Sequence, residues 1–106
     1  MRNQVQLIGN MGVDPEITNF ENGGKKVRFT LATNERYTDK EGNKKNKTYW
    51  HNIYAWGPTA NYIAKSAKKG TELALTGKVV TRKYLSKKGE PRTFTSIEAK
   101  NVVALS

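Results

Sequence analysis

The fold of this 106-residue chain is decided by residues 48–58, which read TYWHNIYAWGP. Aromatic and β-branched residues dominate the stretch up to Trp56, and such residues favour β-strands. Proline is tolerated in the first turn of a helix, so Gly57 and Pro58 indicate that a helix begins directly after this strand. We therefore expect a strand that runs straight into a helix.

The segment after Pro58 has the periodicity of one amphipathic helix. Four apolar side chains recur at the spacing i, i+3, i+4 and i+7, which places them on one helical face. The four are Ala60, Ile63, Ala64 and Ala67. Gly70 follows them, and glycine readily adopts the left-handed conformation that ends helices. We expect the helix to end just before Gly70.

Four further strands are predicted on either side of this strand–helix unit. Together with the central strand, they lie at residues 4–11, 27–33, 48–56, 73–79 and 92–105. Alternation along the second strand turns Val27, Phe29 and Leu31 inward. Residues 38–46 have the composition of an exposed loop, and residues 86–91 that of a turn.

The predicted order is three strands, one helix and two strands, in a chain whose length fits one domain. This order is that of an all-β fold, a five-stranded Greek-key barrel with one helix between strands 3 and 4. The arrangement is known as the oligonucleotide/oligosaccharide-binding (OB) fold. Other small β-barrels also insert a helix, so the order alone does not decide the fold. No linker composition divides the chain, and we expect residues 1–106 to form a single OB-fold domain.

The composition excludes several classes of function. The chain has no cysteine, which excludes disulfides, thiolate zinc sites and a cysteine nucleophile. His51 is the only histidine, so a multi-histidine metal site within one chain is excluded too. We expect no metal and no other cofactor, and no catalysis by His51, because no carboxylate accompanies it on its strand. No window approaches the roughly 18 apolar residues of a membrane span, so no membrane partner is expected.

The 19 lysines and arginines exceed the 9 acidic residues and give a formal charge of +10, which usually indicates an anionic partner such as nucleic acid. Residues 36–47 carry a net charge of +3 and residues 78–92 one of +5, so these two segments hold most of the excess. Their candidate phosphate-binding residues are Lys44, Lys45, Lys47, Arg82, Lys83, Lys87, Lys88 and Arg92. A charge run alone is as often a solvated hairpin tip as a binding surface.

Aromatic residues accompany both basic segments. Tyr37 lies beside the first and Tyr84 inside the second, while the strand between them carries Trp50, Tyr54 and Trp56 on one face. Bases stack on such rings at roughly 1–3 kcal/mol each, while lysine and arginine follow the phosphates. Reading a duplex would instead require a basic recognition helix, and the predicted helix has an alanine-rich face. The pattern therefore favours single-stranded nucleic acid as the ligand.

Four segments of the chain form a further pattern: VQLIGNMGVDPE from residue 5, FTLATNE from residue 29, WHNI from residue 50 and TRKY from residue 81. With these segments, and over essentially its whole length, the sequence resembles the bacterial-type single-stranded DNA-binding protein family. The resemblance implies an OB domain that wraps single-stranded DNA over aromatic rings in replication, recombination and repair. The stacking positions that it implies are Tyr37, Trp50, Trp56 and Tyr84. Tyrosine at positions 37 and 84, where family members often have tryptophan, implies somewhat weaker stacking.

The resemblance also implies a homotetramer, since several barrels together let a long strand wrap around the assembly. It places His51 near a subunit interface, and the weakly charged first strand, with Val5 and Leu7, is the candidate for pairing across subunits. Family members act on the DNA of the nucleoid, in the cytoplasm, and continue into an acidic tip that recruits replication and repair enzymes. This sequence stops at Ser106 without such a tip. Recruitment of those enzymes therefore stays open, as does whether the sequence is a piece of a longer protein.

Two other classes of function and a second ligand stay open at this point. A primosome-type OB subunit, which assembles a replication-restart complex, is also short and basic, and a dimer in solution would favour it. An OB-fold nuclease would need a carboxylate cluster around a metal, and the 9 acidic residues lie mostly in turns. RNA also stays open as the ligand, because stacking and phosphate contacts discriminate poorly between the two sugars.

Overall fold

The computed structural model describes residues 3–105, and the ends of the predicted domain, residues 1–2 and 106, lie outside the described residues. Within residues 3–105 there are six strands and one helix. They are β1 (Val5–Met11), β2 (Glu16–Asn19), β3 (Lys25–Thr38), β4 (Lys44–Trp56), α1 (Gly57–Ser66), β5 (Glu72–Leu85) and β6 (Pro91–Ala104).

Five of these strands form a closed barrel. The sheet order is β1-β5-β6-β4-β3, and β3 returns to pair with β1. The β4–β6 pair is parallel and the other pairs of the ring are antiparallel. Helix α1 lies between the third and fourth strands of the ring in chain order, so the predicted five-stranded OB barrel is confirmed. Strand β2 was not predicted; it lies outside the ring and pairs with the edge of β3.

The ring closes over a short seam between β1 and β3. Asn10 lies opposite Ala32, and Met11 lies opposite Leu31. The two strands approach so closely here that a Cβ atom at Gly9 would lie 2.2 Å from the carbonyl oxygen of Ala32. Only glycine leaves room for this approach, because the neighbouring atom belongs to the backbone and cannot rotate away.

The core is filled from the strands and covered by the helix. Val27, Phe29 and Leu31 are buried, as their alternation predicts, and Ala60 and Ile63 of α1 pack against them. The helix ends at Ser66, earlier than predicted, and the left-handed glycine at position 70 follows in the turn beyond it. Burial of apolar surface against the barrel stabilises so short a helix more than its own propensity does.

Two long hairpins extend from the barrel, one formed by β3 and β4 and the other by β5 and β6. The β3–β4 ladder continues to the pair Thr38 and Lys44, so the prediction of a loop over residues 38–46 is wrong at both of its ends. Only residues 39–43 form the turn, where the Asp39 carboxylate accepts hydrogen bonds from the backbone N–H groups of Glu41 and Asn43. Polar composition indicates exposure, but backbone pairing can continue through exposed residues.

Candidate nucleic-acid interface

A groove of about 610 Å³ lies on the barrel face where β3 and β4 meet β5 and β6. Its basic side chains are Lys26 and Arg28 from β3 and Arg82 from β5, and its aromatic side chains include Tyr54 and Phe94. The groove thus combines cations with rings, as a site for a single nucleic-acid strand requires.

Strand register explains why these side chains share one face. In the β3–β4 ladder, Lys26 lies opposite Trp56, Arg28 opposite Tyr54, and Ala32 opposite Trp50. Residues directly opposite in an antiparallel pair point to the same side of the sheet. We call this side the groove face.

Two acidic residues also line the groove, and both are already engaged. Glu16 accepts a hydrogen bond from Arg28 at 3.2 Å, in a salt bridge whose side chains are both exposed. The Asp14 carboxylate accepts a hydrogen bond from the backbone N–H of Lys69 at 2.8 Å. Exposed ion pairs contribute little free energy, so a phosphate can compete with Glu16 for the Arg28 guanidinium.

Trp50 presents most of its indole ring to solvent, with 61% of the residue exposed. Its inner edge lies against the backbone of Gly12, where a Cβ atom would stand only 2.3 Å from the Cζ3 atom of the ring. Gly12 therefore makes room for the indole. The ring is supported from below and remains accessible to a base.

Trp56 is also accessible, with 44% of the residue exposed, and it lies within an aromatic and basic cluster. The Phe20 ring stacks on it with centroids 5.8 Å apart and planes inclined by 22°. The Lys26 ammonium lies 4.8 Å from the centroid of the indole, and the Tyr54 ring meets it edge-on at 6.4 Å.

Tyr54, the third ring expected on this face, is buried, with 6% of the residue exposed. Lys26 lies 5.3 Å and the Arg82 guanidinium 5.8 Å from its centroid, and its hydroxyl donates to Glu98 at 3.4 Å. A hydrogen bond from Lys100, together with the positive charges of Lys100 and Lys78, lowers the pKa of Glu98 against the opposing effect of burial. Tyr54 thus holds the cations of the groove in place and offers no open face for a base.

The two hairpins divide the other predicted binding residues between two faces. In the β5–β6 ladder, Arg82 lies opposite Phe94 and Tyr84 opposite Arg92, and these four continue the alternation of the groove face. On β4, Lys44 lies an even number of residues from Trp50 and therefore also points to the groove face. The reverse side of the hairpins carries Tyr37, Lys45, Lys47 and Lys83. Lys87 and Lys88 lie in the exposed turn between β5 and β6.

Four residues of this surface were missed by the sequence analysis: Phe20, Lys26, Arg28 and Phe94. The alternation along residues 27–33 already turned Arg28 outward, and Phe94 has the parity of Arg92 on the predicted fifth strand. These two patterns were sufficient to predict that Arg28 and Phe94 have outward-pointing side chains. Phe20 gave no signal, because strand β2 was not predicted.

The residues predicted for a subunit interface have varied surroundings. Val5 and Leu7 are half-buried and pack against the core of their own barrel. His51 is half-buried, and its Nε2 atom shares a hydrogen bond with the Thr33 hydroxyl at 2.9 Å. Ile8 is the exposed apolar side chain of β1. The edge of residues 5–9 that faces β3 has no partner strand among residues 3–105, because β1 pairs with β3 only at the two residues of the seam.

Residues 3–105 lack two features that would indicate other kinds of function. None of the described helical structure is both long and apolar enough to cross a membrane. In the same part of the chain, no three His, Asp or Glu side chains come together as a metal-binding group.

A closed OB barrel with a basic groove, and with exposed indoles on the same face of the sheet, defines a nucleic-acid-binding protein. Residues 2–105 match the family model described as the single-strand binding protein family, and the chain therefore belongs to that family. Its function is the binding of single-stranded DNA.

Named relatives agree with this membership. The chain is 36% identical over 104 residues to single-stranded DNA-binding protein 1 of Xylella fastidiosa, covering 97% of this chain and 76% of that protein. It is 40% identical over 96 residues to single-stranded DNA-binding protein 1 of Chlorobaculum tepidum, covering 90% of this chain and 59% of that protein.

Two solved structures have the same fold. A Plasmodium falciparum SSB complex with single-stranded DNA superposes with a TM-score of 0.89 at 31% identity, covering 98% of this chain and 95% of that one. A deletion mutant of the single-stranded DNA binding protein from Thermus aquaticus superposes with a TM-score of 0.83 at 24% identity, covering 98% and 50% of the two chains. At that identity, the second likeness supports the fold alone.

Proposed function

We propose that the protein binds single-stranded DNA with little preference for sequence, by stacking bases on aromatic rings and pairing phosphates with lysine and arginine. The observation that carries this proposal is the groove face, where the accessible indoles of Trp50 and Trp56 lie on the same side of the sheet as Lys26 and Arg28. Stacking tolerates any base, because every base has a π-face. The binding involves no covalent step.

The proposed path of the strand uses both faces of the hairpins. Along the groove face, bases stack on Trp50, Trp56 and Tyr84, with phosphates near Lys44, Arg82 and Arg92. A strand that leaves the groove around the β3–β4 hairpin then meets Tyr37, Lys45 and Lys47 on the reverse side. Such a path explains how candidate residues on opposite faces can contact one ligand. Lys83, Lys87 and Lys88 extend the basic surface at the second hairpin.

The proposed cellular role is to protect and hold single strands during replication, recombination and repair. Membership of the single-strand binding protein family supports this role. The corresponding location is the cytoplasm, on the DNA of the nucleoid.

A titration with poly(dT), poly(U) and duplex DNA tests the ligand class, with intrinsic tryptophan emission as the signal. We expect poly(dT) to quench most of the emission at saturation, because Trp50 and Trp56 are the only tryptophans. Duplex DNA keeps its bases stacked within the helix, so we expect it to bind with little quenching. Equal binding and quenching by duplex and poly(dT) would contradict the proposal, and tighter binding of poly(U) would make RNA the ligand.

We further propose that the chain assembles as a homotetramer. The unpaired edge of residues 5–9 can accept a strand from a second copy, since open strand edges readily pair with other chains. The outer face of the same sheet has an apolar row in which Ile8 lies opposite Ala74, and Ala74 opposite Val103. Ile8 and Val103 are both exposed in the single chain. This apolar row is the second contact surface, and it would join two dimers that are each formed by pairing of the β1 edges.

Light scattering at micromolar concentration tests the assembly. We expect a mass four times the 11.9 kDa of one chain. Ile8→Lys should lower that mass, because it places a charge in the apolar row. The matched control is Leu85→Lys at the exposed hairpin tip, which should leave the mass unchanged. A dimeric or monomeric wild-type protein would overturn the tetramer.

A further inference from the structure

An exposed phenylalanine lies beside Trp56 without contributing to the core. Phe20 follows directly after β2, 41% of the residue is exposed, and it is not a member of the buried apolar cluster. Its ring instead stacks on the exposed indole of Trp56. The stack covers part of both rings, and what stays exposed is a contiguous apolar patch of two aromatic side chains, which is typical of a binding position.

The backbone around Phe20 is held in a closed turn. The Phe20 N–H donates to the carbonyl of Gly24 at 2.8 Å, and the Gly23 N–H donates to the carbonyl of Phe20 at 3.0 Å. Gly23 has a φ of 88°, and the Asn22 side chain accepts a hydrogen bond from the Gly24 N–H at 2.9 Å. The Cα atom of Phe20 is therefore held in place, so a base that binds here does not also have to order the turn.

The offset of the two rings leaves both of them usable. The centroid separation of 5.8 Å is well above the contact distance of about 3.5–4.0 Å between carbon atoms, so the two rings overlap only in part. Phe20 thus covers the edge of the indole and leaves the rest of it accessible. The two rings form one continuous apolar surface, which we call the Phe20–Trp56 ledge. The Lys26 ammonium lies 4.8 Å from the indole centroid of this surface.

We infer that Phe20 is a further DNA-binding residue, which extends the stacking track from Trp56 onto the β2–β3 turn. One additional base of the strand stacks against the Phe20–Trp56 ledge, and the phosphate beside it pairs with Lys26. This inference rests on the proposed stacking mechanism and adds a position to it. It also adds about one nucleotide to the length of strand that each barrel covers.

Three substitutions at position 20 test the inference: Phe20→Ala, Phe20→Leu and Phe20→Tyr. The measurements are the melting temperature, the affinity for poly(dT) and the number of nucleotides covered per chain at saturation. Because Phe20 is exposed, we expect all three variants to melt near the wild-type temperature. Phe20→Ala should lose about five- to tenfold in affinity, the lower part of the range for one stacked base, and cover about one nucleotide fewer. Phe20→Leu keeps apolar bulk without a π-face and should show the same loss, whereas Phe20→Tyr should bind like the wild type.

The outcomes separate this inference from the proposed function. Wild-type affinity and coverage in Phe20→Ala would overturn the inference, and tighter binding would mean that Phe20 competes with a base for the indole. Trp56→Ala is measured alongside as a reference. If the wild type fails to bind poly(dT), or if Trp56→Ala binds as the wild type does, the stacking mechanism itself is wrong. If Trp56→Ala loses affinity while the Phe20 variants bind like the wild type, the stacking mechanism is supported and Phe20 is not part of it.

Discussion

Trp50→Ala and Trp56→Ala should each weaken the binding of poly(dT) by about 5- to 150-fold, which corresponds to about 1–3 kcal/mol for one stacked base. Both indoles are accessible, so their removal should change the melting temperature by no more than a few degrees. Each variant keeps one tryptophan, and quenching of that remaining emission measures binding. Preference among homopolymers should not change, because stacking does not read base identity.

The contrary result has a clear signature. Truncation of a tryptophan buried in the core would cost about 3–5 kcal/mol of folding free energy and would lower the melting temperature sharply. Variants that melt early while their folded fraction binds normally would therefore refute the stacking face. Trp50→Phe and Trp56→Phe are the matched controls, since they keep a π-face of smaller area and should recover most of the affinity.

The second large effect is the dependence of affinity on salt. If about six lysines and arginines per barrel neutralise phosphates, the log–log slope for a single strand is about −4, and affinity falls about 250-fold between 50 and 200 mM salt. Lys87→Ala combined with Lys88→Ala should reduce the slope to about −3 and this loss to about 60-fold. In the part of the chain that the structure describes, neither lysine lies within salt-bridge distance of an acidic group. Both are therefore available to phosphates.

A variant that loses two lysines elsewhere in the chain distinguishes the loss of local phosphate contacts from the loss of net charge. Lys65→Ala combined with Lys68→Ala removes the same two charges, from α1 and from the segment that follows it, neither of which lines the groove. This variant should keep a slope near −4. If the Lys87 and Lys88 variant also keeps the wild-type slope, the β5–β6 turn does not lie on the path of the DNA. The turn should survive the substitutions, because its backbone is closed by hydrogen bonds between Ser86 and Glu90.

Much of the site could be anticipated from local patterns along the chain. Alternation separated Ile53 and Ala55, which are buried, from Trp50 and Trp56, which are exposed. This worked because side-chain direction in a strand reverses at every residue, whatever the strand pairs with. The same rule did not distinguish Tyr54 from its neighbours of equal parity. Its burial comes from Lys26, Arg82 and Glu98, which arrive from three other strands.

The division of the hairpin residues also depended on tertiary structure. Sequence analysis grouped Tyr37, Lys45 and Lys47 with Trp50 because all lie in or near one basic, aromatic stretch. Only the continuation of the β3–β4 ladder through residues 44–47 assigns them to the reverse face. A stretch that is polar throughout has no apolar side to mark its orientation, so its pattern could not distinguish strand from loop.

The sequence by itself determined the order of the five barrel strands and the helix, the inward residues of the barrel and the two indoles, because turn chemistry and period-2 alternation act over a few neighbouring residues. Tertiary structure alone decided the closure of the ring at Gly9, the addition of β2, the burial of Tyr54 and the stack of Phe20 on Trp56. The ring closure, the burial of Tyr54 and the Phe20–Trp56 stack join residues that are far apart in the chain, whereas β2 pairs with β3 across the short turn of residues 20–24. Their contacts depend on which strands pair and in what register, and that is fixed only when the whole barrel closes.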